Sequence, residues 1–213
     1  MYGQCGLEAK LAYNGRHTLS AFMIARPAMR KLLKTLLNGL VMLSLPTVAA
    51  GNRWIDSMSA TVGDDKNSNQ MDIYRIGVQN RWNRTWFNDG AWYLGGYWDV
   101  SMGYMESGYD DSDLYEFSLT PVLRLQRDAE ISSGFAPFSE LGVGGHLLTD
   151  DEIGKRELGT GFQLASHIGL GLGFGDKGRY ELAYRFQHLT NAGVKSPNNG
   201  LDLHLLSFGY HFD

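Results

Sequence analysis

The chain has 213 residues and a formal net charge of −4, enough for one barrel-sized domain or two small ones. A hydrophobic content of 43% is ordinary for a soluble domain, whereas 12% aromatic residues and 27 glycines against 5 prolines favour close-packed β structure. Six Lys/Arg and one Glu fall in the first 50 residues, leaving 13 basic against 22 acidic residues in the remainder, a balance that argues against nucleic acid as a partner.

The N-terminus reads as an export address. Met29, Arg30, Lys31 and Lys34 make a positive n-region, Leu36 to Leu45 an apolar h-region, and Val48-Ala49-Ala50 a small-residue cleavage site before Gly51. A membrane helix would need about 20 apolar residues, and Asn38, Gly39 and Pro46 interrupt the run too early. The expected division is therefore a start-site extension over 1–28, a signal peptide over 29–50 and a β-barrel over 51–213. The single cysteine, Cys5, falls in the part expected to be lost, which removes any disulfide or Cys-metal framework from the mature chain.

From Gly51 onward the recurring signal is alternation with period two, the mark of strands with unlike faces. A first strand is expected near Trp54 to Val62. The second sets Tyr74, Ile76, Val78 and Trp82 against Arg75, Gln79 and Arg81. In the third, Trp92, Leu94, Trp98, Val100, Met102 and Tyr104 oppose Gly95, Asp99 and Ser101. The fourth opposes Tyr115, Phe117, Leu119, Leu123 and Leu125 to Glu116, Ser118, Thr120 and Arg124. Leu141, Val143 and Leu147 face away from Glu140, Gly142, Gly144 and His146 in the fifth. Phe162, Leu164, Ile168, Leu170, Leu172 and Phe174 give the sixth, against Gln163, His167, Gly169, Gly171 and Gly173. The last two run over 179–190 and 202–212. Eight is an even number that can close a bacterial barrel, so the expected fold is all-β: an eight-stranded antiparallel transmembrane β-barrel of the outer membrane.

The connections agree. A short polar turn at 175–178 contrasts with long polar loops at 64–70, 106–113, 150–159 and 191–200, as periplasmic turns contrast with outer loops; those at 83–90 and 127–134 exceed a minimal turn. Trp82, Trp92, Phe174, Tyr180, Tyr210 and Phe212 fall at the strand ends assigned to the inner interface, where an aromatic girdle belongs. The alternating Leu206, Phe208, Tyr210 and Phe212 resemble a C-terminal barrel-insertion signal, with Asp213 as a departure. A lipocalin-like barrel would turn the apolar face inward; the Gly, Glu, Arg, Gln and His of the opposite set suit a narrow polar interior better. Eight strands leave that interior filled by side chains, which disfavours a pore.

Candidate chemistry sits where the seventh and eighth strands meet. His188 and Thr190, two residues apart, share the lipid face about 7 Å apart along the strand, and the hairpin brings Asp202 beside them. Acyl transfer by an alcohol needs an imidazole to take the proton and a carboxylate to hold the ring's tautomer, so Thr190, His188 and Asp202 are candidate nucleophile, base and orienter. Position alone is also explained by strands that have reached the headgroups, where such side chains cost little. His188, Asp202 and His204 show no spacing that singles out zinc. His146 and His167 point to the lumen, and Gly169, Gly171 and Gly173 provide packing room rather than a phosphate loop.

The segment from His188-Leu189-Thr190-Asn191-Ala192-Gly193 through Lys195-Ser196-Pro197-Asn198 and Gly200 to Asp202 resembles the signature of the lipid A 3-O-deacylase family. Gly96-Tyr97-Trp98-Asp99 also looks like that family, and the strand plan resembles it from Trp54 to Phe212. The resemblance implies an eight-stranded outer-membrane ester hydrolase that removes the 3-position acyl chain of lipid A, with a Ser-His-Glu triad on its outer wall. Here Thr190 stands for the Ser and Asp202 for the Glu. Thr adds a β-methyl that stiffens χ1, and the shorter Asp is expected to need a shifted register or a small backbone adjustment to reach His188. Oxyanion donors are sought in the Gly193 N–H and the amide of Asn198 or Asn191, residues that could equally serve a turn. The expected partner is lipid A or lipopolysaccharide of the outer leaflet, with a homodimer as a further candidate and no cofactor or metal required. Lys195 is a candidate for a headgroup phosphate, or a solvated loop lysine. The alternative is a structural or adhesive barrel in which the two replacements have disabled the site.

Overall fold

A computed structural model describes residues 54–65, 71–87, 89–128 and 134–212. The expected start-site extension, signal peptide and Cys5 lie outside these residues, as does Asp213. The strands in chain order are β1 (Ser57–Asp65), β2 (Met71–Arg81), β3 (Trp92–Ser107), β4 (Asp113–Arg127), β5 (Phe135–Leu148), β6 (Glu152–Ile153), β7 (Arg156–Glu157), β8 (Phe162–Phe174), β9 (Tyr180–Thr190) and β10 (Leu201–His211). Eight of them close a barrel in the order β1-β10-β9-β8-β5-β4-β3-β2, and β6 with β7 forms a separate hairpin. Every pairing in the barrel is antiparallel. Closure leaves no open sheet edge to face lipid, where unpaired backbone groups have no partner.

The faces are sorted as the period-two pattern predicts. Outward side chains are large and apolar, with Leu170 66%, Ile168 61% and Phe117 52% exposed, whereas Arg75, Glu116, Arg124, Glu140, Glu181 and Arg185 are buried inside. That is the inverse of a soluble ligand-carrying barrel, and it needs hydrocarbon as the surrounding solvent. At the inner rim Tyr180 stacks on Phe174 at 5.7 Å and on Phe208 at 6.1 Å, and Tyr210 meets Phe212 at 5.7 Å.

Charge fills the middle of the interior. Glu140 accepts hydrogen bonds from Tyr97 Oη at 2.9 Å, from Arg124 at 2.7 Å and from Arg185. Arg124 also pairs with Glu181 at 2.5 Å. Further out Arg75 forks onto Glu116 at 2.8 Å, and Glu116 also meets His146. Three arginines thus face three glutamates, so no unpaired charge is buried among them. The Gly-Tyr-Trp-Asp stretch serves this network: Tyr97 points inward to Glu140, and Asp99 accepts from Gln79 at 3.2 Å. His146 and His167 are both buried in the lumen.

Two expectations are corrected. The first strand begins at Ser57 and runs to Asp65 rather than spanning 54–62, and Trp54 is 86% exposed before it. The outer third of the interior is apolar instead of polar. Ile73, Met105, Leu114, Leu189, Leu203 and Leu205 form one buried cluster with Ile153 and Leu158 of the β6–β7 loop. That loop was expected to be long and polar. It folds into a hairpin because Gly154 turns at φ 58° and two apolar side chains are drawn into the barrel mouth. A side-chain plug above an ion network leaves no pore.

Gly171 shows what the strand glycines do. A Cβ there would stand 2.1 Å from Phe138 Cζ and 2.7 Å from the Leu182 carbonyl, and Phe138 in turn lies against Arg124 at 4.0 Å. Gly171→Ala is expected to destabilise the barrel by about 1–3 kcal/mol through overpacking, read as a lower urea midpoint for unfolding in detergent micelles.

Candidate active site

The β9–β10 hairpin carries the site on its outward wall. β9 alternates Tyr180, Leu182, Tyr184, Phe186, His188 and Thr190 outward with Glu181, Ala183, Arg185, Gln187 and Leu189 inward. On β10 Asp202, His204, Leu206 and Phe208 share the outward face while Leu201, Leu203 and Leu205 are buried. Asp202 and His188 are direct register partners. Opposed side chains on one face stand about 4.5–5.5 Å apart at Cβ, which suits a short acid. His188 Nδ1 donates to Asp202 Oδ1 at 2.6 Å, with the two side chains 48% and 29% exposed. Asp202 reaches the ring straight across the strand pair.

With Nδ1 bound to the acid, Nε2 lies on the other edge of the ring. A Cβ at Gly200 would come 3.2 Å from His188 Cε1 and 3.8 Å from Nε2. Gly200 precedes Leu201, the partner of Leu189, so the free nitrogen is turned toward the row that holds Thr190. Gly200 itself sits at φ 61°, a conformation that favours glycine. Thr190 Oγ1 accepts from the Ala192 N–H at 3.1 Å and from Asn198 Nδ2 at 2.9 Å.

The three loop residues considered for an oxyanion site occupy different places. Asn191 is buried, and its amide nitrogen donates to the Leu158 carbonyl at 2.9 Å and the Lys195 carbonyl at 2.7 Å. The Gly193 N–H donates to Asn191 Oδ1 at 2.8 Å, inside the loop. Asn198 alone reaches the hydroxyl. Its Oδ1 accepts the Asn191 backbone N–H at 3.2 Å, which orients the amide so that Nδ2 faces Thr190. The loop is further tied to the β6–β7 hairpin by Asn199 N–H on the Glu157 carbonyl at 3.1 Å. Lys195 pairs with Asp151 at 3.7 Å on the exposed side.

One outward polar group beside the site escaped the sequence reading. Ser166 on β8 is the register partner of His188, so Asp202, His188 and Ser166 form a row across three strands. His204 is hydrogen-bonded with the Tyr184 hydroxyl. Cross-strand register is the signal that would have set Ser166 beside His188, and alternation within one strand does not contain it. Among the described residues no group of three metal-ligating side chains converges.

Similarity to known proteins agrees with this geometry. The lipid A 3-O-deacylase (PagL) family profile matches residues 72–211, which hold all the strands that frame the site from β2 to β10. The lipid A deacylase PagL of Pseudomonas aeruginosa is 28% identical over 176 residues, 83% of this chain and 98% of that protein. The lipid A deacylase PagL of Bordetella bronchiseptica is 36% identical over 75 residues, 35% of this chain and 41% of that protein. A crystal structure of the outer membrane enzyme PagL superposes with a TM-score of 0.65 at 29% identity, covering 73% of this chain and 99% of that one. Neither the fold nor these relatives supports the homodimer considered from the sequence. An inverse-faced, closed eight-stranded barrel and this family match together make the assignment: the chain is an outer-membrane ester hydrolase that belongs to the lipid A 3-O-deacylase (PagL) family.

Proposed function

We propose that this barrel hydrolyses the ester-linked acyl chain at the 3-position of lipid A, with Thr190 as nucleophile, His188 as general base and Asp202 as the group that orients the ring. The observation that carries the proposal is the 2.6 Å His188–Asp202 hydrogen bond on the lipid-facing wall, one row from Thr190. A substrate that lives in the outer leaflet meets this wall sideways, with its acyl chains beside Phe186, Leu206 and Phe208. Thr190 Oγ1 attacks the acyl carbonyl while its proton passes to His188 Nε2. The carboxylate of Asp202 stabilises the imidazolium that forms. That proton then goes to the sugar oxygen as the ester bond breaks, and a water activated by His188 releases the acyl group from Thr190.

Asn198 serves as an oxyanion donor. Its amide already lies against Thr190 Oγ1 and needs only a small displacement to meet the developing carbonyl oxyanion. Asn191 acts as a brace for the loop, since both of its amide hydrogens are used on backbone carbonyls. The test is expression of the full chain in outer membranes that contain acylated lipid A, followed by mass spectrometry of the lipid. The expected product lacks one 3-O-linked acyl chain. Asn198→Ala is expected to lower the rate roughly 10²–10³-fold while the folded barrel persists. Unchanged lipid A beside well-folded protein contradicts the proposal.

A further inference from the structure

The β6–β7 hairpin stands outside the closed sheet, yet it is pinned on several sides. Ile153 and Leu158 are 1% and 0% exposed in the barrel mouth. Arg156 reaches the buried Asp65 at the end of β1 at 3.3 Å. The Gly154 N–H donates to Ser112 Oγ in the β3–β4 loop at 2.7 Å, and the Leu158 N–H closes the hairpin on the Asp151 carbonyl at 2.7 Å. Buried apolar side chains and an ion pair with a buried acid give a loop local stability that an exposed loop lacks.

The loop over 191–200 is built on this support. Asn191 Nδ2 donates to the Leu158 carbonyl at 2.9 Å, and the Asn199 N–H donates to the Glu157 carbonyl at 3.1 Å. Gly159 fills the seam. A Cβ there would stand 2.3 Å from the Pro197 carbonyl oxygen, 3.0 Å from Asn191 Nδ2 and 3.3 Å from the Lys195 carbonyl oxygen. Its φ of 76° also favours glycine. Pro197 and Asn199 flank Asn198, whose amide lies 2.9 Å from Thr190 Oγ1. Asn198 is thus gripped through both of its chain neighbours by the 157–159 segment.

We infer that the β5–β8 loop is a positioning element for the hydrolysis, with Gly159 as its contact point and Ile153 and Leu158 as its anchors, and that it sets where the Asn198 amide stands relative to Thr190. This rests on the deacylase reading with Asn198 as oxyanion donor. Strand register places His188 and Asp202 directly across from each other, whereas Asn198 lies between β9 and β10 and has no register of its own. A donor for a developing oxyanion works only when it is held within roughly 0.5 Å of its place. The hairpin supplies that constraint and takes no part in the bond changes.

The test uses the folded full-length protein in detergent micelles with lipid A as substrate, reading release of the 3-O-linked chain. Folding is checked by heat-modifiable mobility on a gel. Gly159→Ala drives a methyl against the Pro197 carbonyl and is expected to lower kcat roughly 10²-fold with KM unchanged, as a displaced catalytic group does. Its loss is expected not to exceed that of Asn198→Ala, and the double variant to be little slower than Asn198→Ala, because both changes act through one amide. Ile153→Ala adds no atom beside the site. It loosens the anchor and is expected to lower kcat by a smaller factor, again at unchanged KM. Should Gly159→Ala fail to fold, Ile153→Ala decides alone. Wild-type kcat in either folded variant, or a Gly159→Ala loss that multiplies with that of Asn198→Ala, overturns the positioning role while the deacylase reading stands. A folded wild type that leaves lipid A uncut removes both.

Discussion

His188→Ala and Thr190→Ala are each expected to lower 3-O-deacylation by at least about 10³-fold, and the double variant to be no slower than either, because in the proposed mechanism the two groups act as one unit. The loss is expected in kcat: under the proposed mechanism the hydroxyl proton has no acceptor without the ring, and no acyl-enzyme forms without the hydroxyl. Asp202→Asn leaves the register intact but offers an amide to His188 Nδ1, where a carboxylate now accepts at 2.6 Å. It is expected to cost about 10²–10⁴-fold through the wrong tautomer and an unsupported imidazolium. Thr190→Ser removes the β-methyl and keeps the alcohol, so its rate is equal or higher. The measurement is release of the 3-O-linked acyl chain from lipid A in micelles, with folding checked in parallel. Retention of wild-type rate by His188→Ala, Thr190→Ala or Asp202→Asn contradicts the assignment of that residue.

Glu140→Leu has the largest expected effect on stability. The Glu140 carboxylate is fully buried and accepts from Tyr97, Arg124 and Arg185. Removing it leaves Arg124 with Glu181 as its one remaining acid and strips Arg185 of its carboxylate partner. Breaking a buried ion pair from one side costs about 3–5 kcal/mol, because the charge that stays behind has lost both water and partner. The urea midpoint for unfolding in micelles is expected to fall accordingly. Catalysis per folded molecule is expected to hold, since the lumen network and the outer wall lie on opposite faces of the strands. An unchanged midpoint would mean that water reaches the lumen and solvates the arginines.

The strands were legible because their two faces meet different solvents. Leu164, Ile168 and Leu170 against Gln163 and His167 can satisfy lipid and a polar lumen in one register only. The β6–β7 hairpin was not legible, because two-residue strands are too short to show a period. The plug was hidden for a related reason. Leu189, Leu201, Leu203 and Leu205 lie on the face assigned to a polar interior, and only the loop that folds over them shows that the mouth is dry. At the site, the two-residue spacing of His188 and Thr190 and the returning strand were enough to anticipate the pairing with Asp202. The shorter acid reaches the ring because direct cross-strand neighbours are already close. The loop amides could not be sorted by sequence. Asn191 and Asn198 differ in their partners, and the decisive partner of Asn191, the Leu158 carbonyl, belongs to a distant loop.

The identity of the oxygen that attacks the ester decides the mechanism. Acid-quenched single turnovers on lipid A, digested and mapped by tandem mass spectrometry, test this directly. An acyl group on the peptide that contains Thr190, absent from His188→Ala, is the predicted result. An acyl group on Ser166, the hydroxyl directly across from His188 on β8, would contradict it, as would turnover with no acylated peptide under conditions that trap the intermediate.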